Sequence, residues 1–85
     1  MGIEILIYDD NEALRESMEV LIAEQTDFDL LAVMPNAETV AADMKDFKPD
    51  VILMDIDMPG INGVQAVKII RKINKDVPII MLTVF

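Results

Sequence analysis

Eighty-five residues allow one domain, and a hydrophobic fraction of 53% excludes a disordered chain. There is no Cys and no His, so disulfides, thiol chemistry, sulfur-ligated zinc and imidazole catalysis are excluded. Sixteen acids against seven bases give a net charge of −9, which excludes nucleic-acid binding by the chain's own electrostatics and favours a cation or a basic partner surface.

The elements alternate in type along the chain. Ile3 to Tyr8 ("IEILIY") reads as a short buried strand. Asn11 to Gln25 has helical spacing, with Leu14, Met18, Leu21 and Ile22 on one face and Arg15, Glu16 and Glu19 on the other. Phe28 to Met34 is a second strand, ended by Pro35-Asn36. Asn36 is the expected N-cap of a helix reaching about Phe47, with Val40, Met44 and Phe47 as its stripe. Lys48-Pro49-Asp50 stops that helix, because the residue before a proline is pushed out of helical geometry.

Val51 to Met54 is the third strand, apolar without alternation, as a parallel strand covered on both faces should be. A loop over 56–63 carries Pro59, Gly60 and Gly63. A third helix follows from about Val64 to Asn74, with Ala66, Ile69, Ile70 and Ile73 inward, and "IIMLT" closes the pattern as a fourth strand. The order βαβαβαβ predicts an α/β fold with a doubly wound parallel sheet. Right-handed crossovers place every strand's carboxyl end on one edge.

That edge gathers the chemistry. The first strand ends in Asp9-Asp10, the third in Asp55 and the fourth in Thr83. If the first and third strands are neighbours, three carboxylates converge where open α/β sheets bind ligands. Like charges at close range repel, and hard oxygen donors suit Mg²⁺ or Mn²⁺. Such a cation would draw in a phosphoryl group and leave a carboxylate able to attack it. Simpler roles stand beside this one. Asp9, Asp10 and Asn11 can cap the first helix, Asp57 with Pro59-Gly60 fits ordinary turn chemistry, and Thr83 suits a strand for its branched side chain. The seven Met residues read as core filler and Tyr8 as strand packing. Asp55, ending an apolar strand beside an acid pair, has few such explanations.

Taken together, "ILIYDDNEALRESMEVLI", "KPDVILMDIDMPGINGVQAVKIIR" and "VPIIMLT" resemble the response-regulator receiver domain of two-component signalling, over essentially the whole chain. The resemblance implies a flavodoxin-like sheet of order 2-1-3-4. It implies that Asp55 is the phosphoacceptor, taking a phosphoryl group from a histidine kinase or phosphotransfer protein. Asp10, Asp55 and the backbone carbonyl of Asp57 would ligate Mg²⁺ or Mn²⁺, and Asp9 would act through a metal-bound water. Thr83 would be the switch hydroxyl, and Pro59, Gly60 and Gly63 would shape the adjoining loop. Asp57's side chain would lie near the phosphoryl group and influence how fast water removes it. The implied protein is a phosphoacceptor and not a dedicated enzyme, switching an output such as transcription.

Family members have a fifth strand ending in Lys and two further helices, which are absent from residues 1–85, so the chain is expected to be a receiver incomplete at its C-terminal end. No base here fits that Lys. Lys45, Lys48, Lys68, Arg71, Lys72 and Lys75 lead to the opposite sheet edge, and Arg15 is expected on the outward face of the first helix. Promoter DNA or an output domain would be reached only through a segment outside this chain. "ILMDID" also resembles the first motif of haloacid-dehalogenase-type Mg²⁺ phosphatases, with Asp55 and Asp57 as nucleophile and acid/base. No run approaches the roughly 20 apolar residues of a membrane helix, and "ILIY" is too short for a signal-peptide core, so the cytoplasm is the expected location. The apolar fourth strand, with no charge inside it, is expected to lie at a sheet edge and to drive dimerisation, element swapping or aggregation.

Overall fold

A computed structural model describes residues 2–82. Its elements are β1 (Ile3–Tyr8), α1 (Glu12–Ala23), β2 (Phe28–Met34), α2 (Val40–Asp46), β3 (Val51–Asp55), α3 (Gly63–Ile73) and β4 (Ile79–Leu82). The four strands form one parallel sheet in the order β2-β1-β3-β4. Order and strand direction are those expected of the flavodoxin-like receiver arrangement. Tyr8 pairs with Met34 on one side and Met54 on the other, so β1 and β3 end side by side. The β1–β2 register slips between Ile5 and Leu6.

The sheet is covered unequally. Leu6, Tyr8, Ile52 and Met54 point to one face, where Val40 and Met44 of α2 and Ala66 and Ile70 of α3 close over them. All but Met44 in that group are at most 1% exposed. Side chains alternate along a strand, so Ile5 and Ile7 face the other way, toward α1. That second face is complete over β1 and open over β4, where Ile80 is 53% exposed.

Several boundaries differ from the sequence reading, each for a local reason. Asn11 stands outside α1 as its N-cap, its side chain accepting the Leu14 N–H at 3.0 Å. Asn36 does not cap α2. It accepts the Glu38 N–H at 3.0 Å in a turn, and α2 begins only after Thr39. The α3 start is set by a capping box, in which Asn62 and Gln65 satisfy each other's backbone N–H groups. Leu21 and Ile73, expected inward, are exposed. Each sits on the flank of its helix's apolar stripe.

Candidate metal and phosphoryl site

The site is built where two strand ends meet. Asp9 follows β1 and is 1% exposed, Asp55 ends β3 and is 5% exposed, and Asp10 projects into solvent beside them. One carboxylate oxygen from each lies within 4.8 Å of the others. They open into a cleft of about 370 Å³ that Asp57, Asn11 and Leu82 also line. The sequence-predicted cluster of Asp9, Asp10 and Asp55 is thus brought together, and Asp57 borders it. Thr83 lies outside the described residues.

Each acid is held differently. Asp9 gives its N–H to the Met34 carbonyl at 3.0 Å and accepts the Asn11 N–H on Oδ1 at 2.8 Å. Its Oδ2 is buried with no hydrogen-bond partner. Asp55 accepts the Asp57 N–H on Oδ1 at 3.2 Å. Burial pushes the Asp55 carboxyl above the usual carboxylate range, and Asp10 and Asp9 push it further up. The Asp57 N–H opposes them. A buried oxygen without a donor costs on the order of 1–3 kcal/mol. Three hard oxygen donors, one of them the orphaned Asp9 Oδ2, fit a small divalent cation.

The loop after Asp55 is shaped by its glycines. Gly60 has φ +76°, the left-handed value that the third position of a type II turn requires after Pro59. A Cβ on Gly63 would run into the Asp55 carbonyl oxygen, so only glycine lets α3 start this close to β3. The Gly63 N–H bonds the Ile56 carbonyl at 2.9 Å, and the Ile56 N–H bonds the Leu82 carbonyl at 3.2 Å. The ends of β3, α3 and β4 are thereby tied beside Asp55.

Two arrangements were not foreseen from the sequence. Tyr8, fully buried, donates to Asp43 Oδ2 at 2.7 Å, and Thr39 donates to the same oxygen at 3.0 Å. Burial, then this acceptor, pushes the Tyr8 hydroxyl well above its ordinary range, so it stays a donor. Arg15, expected on the outward face of α1, is half-buried and donates from Nη1 to the Asp9 carbonyl at 2.8 Å. The signal was its position: side chains on a helix lean toward the N-terminus, and Arg15 lies one turn after Asn11.

A parallel sheet with an acid cluster at the carboxyl ends of its two central strands defines an α/β domain whose functional edge is acidic. The family model for the response regulator receiver domain matches residues 5–85, and the chain belongs to that family. It is 36% identical over 83 residues to the transcriptional regulatory protein LnrK of Bacillus subtilis, covering 98% of this chain and 38% of that protein. It is 30% identical over 82 residues to a protein-glutamate methylesterase/protein-glutamine glutaminase of Nocardioides, covering 96% of this chain and 22% of that one. Among solved structures, the response regulator TrrA of Thermotoga maritima, in complex with Mg²⁺ and BeF, matches with a TM-score of 0.86 and 32% identity. That match covers all of this chain and 71% of TrrA. The chain therefore spans well under half the length of these curated relatives. Among the described residues no helix is long and apolar enough to cross a membrane.

Proposed function

We propose that residues 1–85 are the phosphoacceptor part of a two-component response regulator, working in the cytoplasm. Asp55 takes one phosphoryl group from a phosphohistidine of a histidine kinase or phosphotransfer protein. The observation that carries this reading is the buried, unpartnered Oδ2 of Asp9 beside the clustered carboxylates of Asp10 and Asp55. The TrrA complex with Mg²⁺ and BeF supports it by analogy.

Asp10, Asp55 and the Asp57 carbonyl would hold Mg²⁺ or Mn²⁺, with Asp9 acting through a water. When bound, the cation neutralises charge on the carboxylates and on the incoming phosphoryl oxygens. The remaining work belongs to the chain. Core packing of Ile52 and Met54 holds β3 rigid, and the Asp57 N–H on Oδ1 leaves Asp55 Oδ2 as the attacking atom. A carboxylate oxygen–phosphorus bond forms as the phosphorus–nitrogen bond to the donor imidazole breaks, and the electron pair leaves with the imidazole. Thr83 then donates to a phosphoryl oxygen as the switch hydroxyl. Pro59, Gly60 and Gly63 keep the loop close without crowding the acceptor.

The curated relatives this chain resembles include transcriptional regulators, so transcription is the output class we propose. As an isolated chain, residues 1–85 present β4 as a sheet edge with Ile80 exposed, and a second copy pairs there. The phosphatase reading gains no support: the family match over residues 5–85 is to the receiver domain.

The test is direct labelling. A chain extended through a fifth strand is incubated with Mg²⁺ and a small-molecule phosphodonor, then reduced with borohydride and mapped by mass spectrometry. The modification is expected at Asp55 alone. Label at Asp10 or Asp57 overturns the assignment.

A further inference from the structure

We propose that Arg15 is a positioning residue for the acid pair, holding the Asp9–Asp10 peptide plane so that both carboxylates face a divalent cation. The inference rests on the metal-site reading above and concerns a residue the cation would not touch.

The argument starts from the backbone. β1 ends at Tyr8, so the Asp9 carbonyl lies past the end of the ladder and needs another donor. Arg15 Nη1 supplies it at 2.8 Å from a half-buried position. The other polar groups of Asp9 are already assigned. Its N–H goes to Met34, its Oδ1 accepts from Asn11, and only Oδ2 is left for a ligand. Arg15 completes that set.

The Asp9 carbonyl and the Asp10 N–H belong to one rigid peptide plane. Fixing the carbonyl therefore fixes where the Asp10 chain leaves it. Asp10 is exposed and is donor or acceptor in none of the backbone–side-chain bonds found among the described residues. Its carboxylate lies against Asp55, and the backbone direction from which it reaches there is set by that plane. A guanidinium in the first turns of a helix also opposes the helix dipole. Its place at the start of α1 is explained by the carbonyl it bonds.

Charge and position predict opposite signs. If Arg15 were only a positive charge near the cluster, removing it would strengthen binding of a divalent cation. If it positions the pair, removing it weakens binding. The test uses the chain extended through a fifth strand, Mg²⁺ and amide NMR on wild type, Arg15→Ala, Arg15→Lys and the exposed control Lys68→Ala. Arg15→Ala is expected to raise the Mg²⁺ Kd about ten-fold, in the range usual for residues that support ligands. Arg15→Lys, one bond shorter, is expected to raise it less but in the same direction, and Lys68→Ala to leave it unchanged or lower it slightly. Without Mg²⁺, the Asp10 and Asn11 amides should lose order in Arg15→Ala while thermal unfolding stays cooperative. An unchanged or lower Kd in both Arg15 variants overturns the proposal. So do Asp10 amides as rigid as in wild type, a result that holds whether or not Mg²⁺ binds. Wild type that never saturates with Mg²⁺ overturns the metal-site reading, and the positioning role toward a cation falls with it.

Discussion

Replacing Asp55 by Asn should stabilise the chain in the absence of a divalent cation and reverse that ranking in its presence. Asn keeps the shape and the oxygen that accepts the Asp57 N–H, but it removes one charge from a cluster whose oxygens lie within 4.8 Å of one another. At that distance two unit charges repel by about 1 kcal/mol in bulk water and about 3.5 kcal/mol at an effective dielectric of ~20. Asp55 faces both Asp9 and Asp10, and with the cleft open to water the water-like value applies, about 2 kcal/mol in all. For a domain of this size that is a rise in Tm of roughly 8–16 °C. Mg²⁺ at about 100 times its Kd stabilises the wild type by about 2.7 kcal/mol. It should do much less for Asp55→Asn, so the two melting curves change places on adding it.

The pH dependence carries the same sign. Asp55 has a raised carboxyl in the folded chain. Its protonated form therefore favours the fold, a contribution fully present below the ordinary carboxylate pKa and lost as pH rises through the folded value. The advantage of Asp55→Asn over wild type should accordingly be largest near neutrality and shrink on acidification. Calorimetry of both chains from pH 4 to 7.5, with and without Mg²⁺, checks it. An Asn variant that melts below wild type without the cation, or gains as much from Mg²⁺, refutes the repulsion argument.

Other expectations follow from particular contacts. Tyr8→Phe keeps the buried ring but removes its 2.7 Å bond to Asp43, and should cost about 2 kcal/mol, the range for a hydrogen bond to a carboxylate; denaturant unfolding that shifts by less than a quarter of that places the bond among the neutral ones. Asp10→Asn should weaken Mg²⁺ binding by an order of magnitude or so, while Glu19→Gln on α1 should not; equal effects in an NMR titration would reduce the site to general acidity. Ile80→Lys places a charge on the exposed side of β4 and should shift any dimer of the isolated chain toward monomer in sedimentation equilibrium; unchanged association moves the contact away from β4.

The strand and helix pattern was legible because each element's periodicity agreed with its neighbours, and the acids stood out where apolar strands stopped. Asp55 was readable for that reason: "VILM" has only core contacts to make, and the residue after it does not. The misreadings share another origin. Leu21 and Ile73 match the helical period, yet period alone does not say how wide a face is covered. Asn36 and Thr39 both suit a cap, and the turn at 35–39 decides between them. Arg15 was assigned by the direction of its Cα, whereas a five-bond side chain on a helix reaches back a full turn. Tyr8 to Asp43 spans 35 residues and joins β1 to α2. No local pattern marks a bond between elements whose packing is not yet known.

The placement of Asp55 sets repulsion against packing. β3 is held by Ile52 and Met54, both fully buried, and its last residue is forced against two like charges. A loosely held acid would relieve the repulsion by turning away. This one cannot turn far, because the Asp57 N–H bonds its side chain and Gly63 brings α3 against its carbonyl. Any change of charge at Asp55 must then be absorbed by its neighbours. The shortest backbone route is the Ile56 N–H to the Leu82 carbonyl, one residue before Thr83 in the chain. The rigidity that makes Asp55 an unfavourable carboxylate in the absence of a cation is therefore the property that lets the proposed phosphorylation be felt at the end of β4.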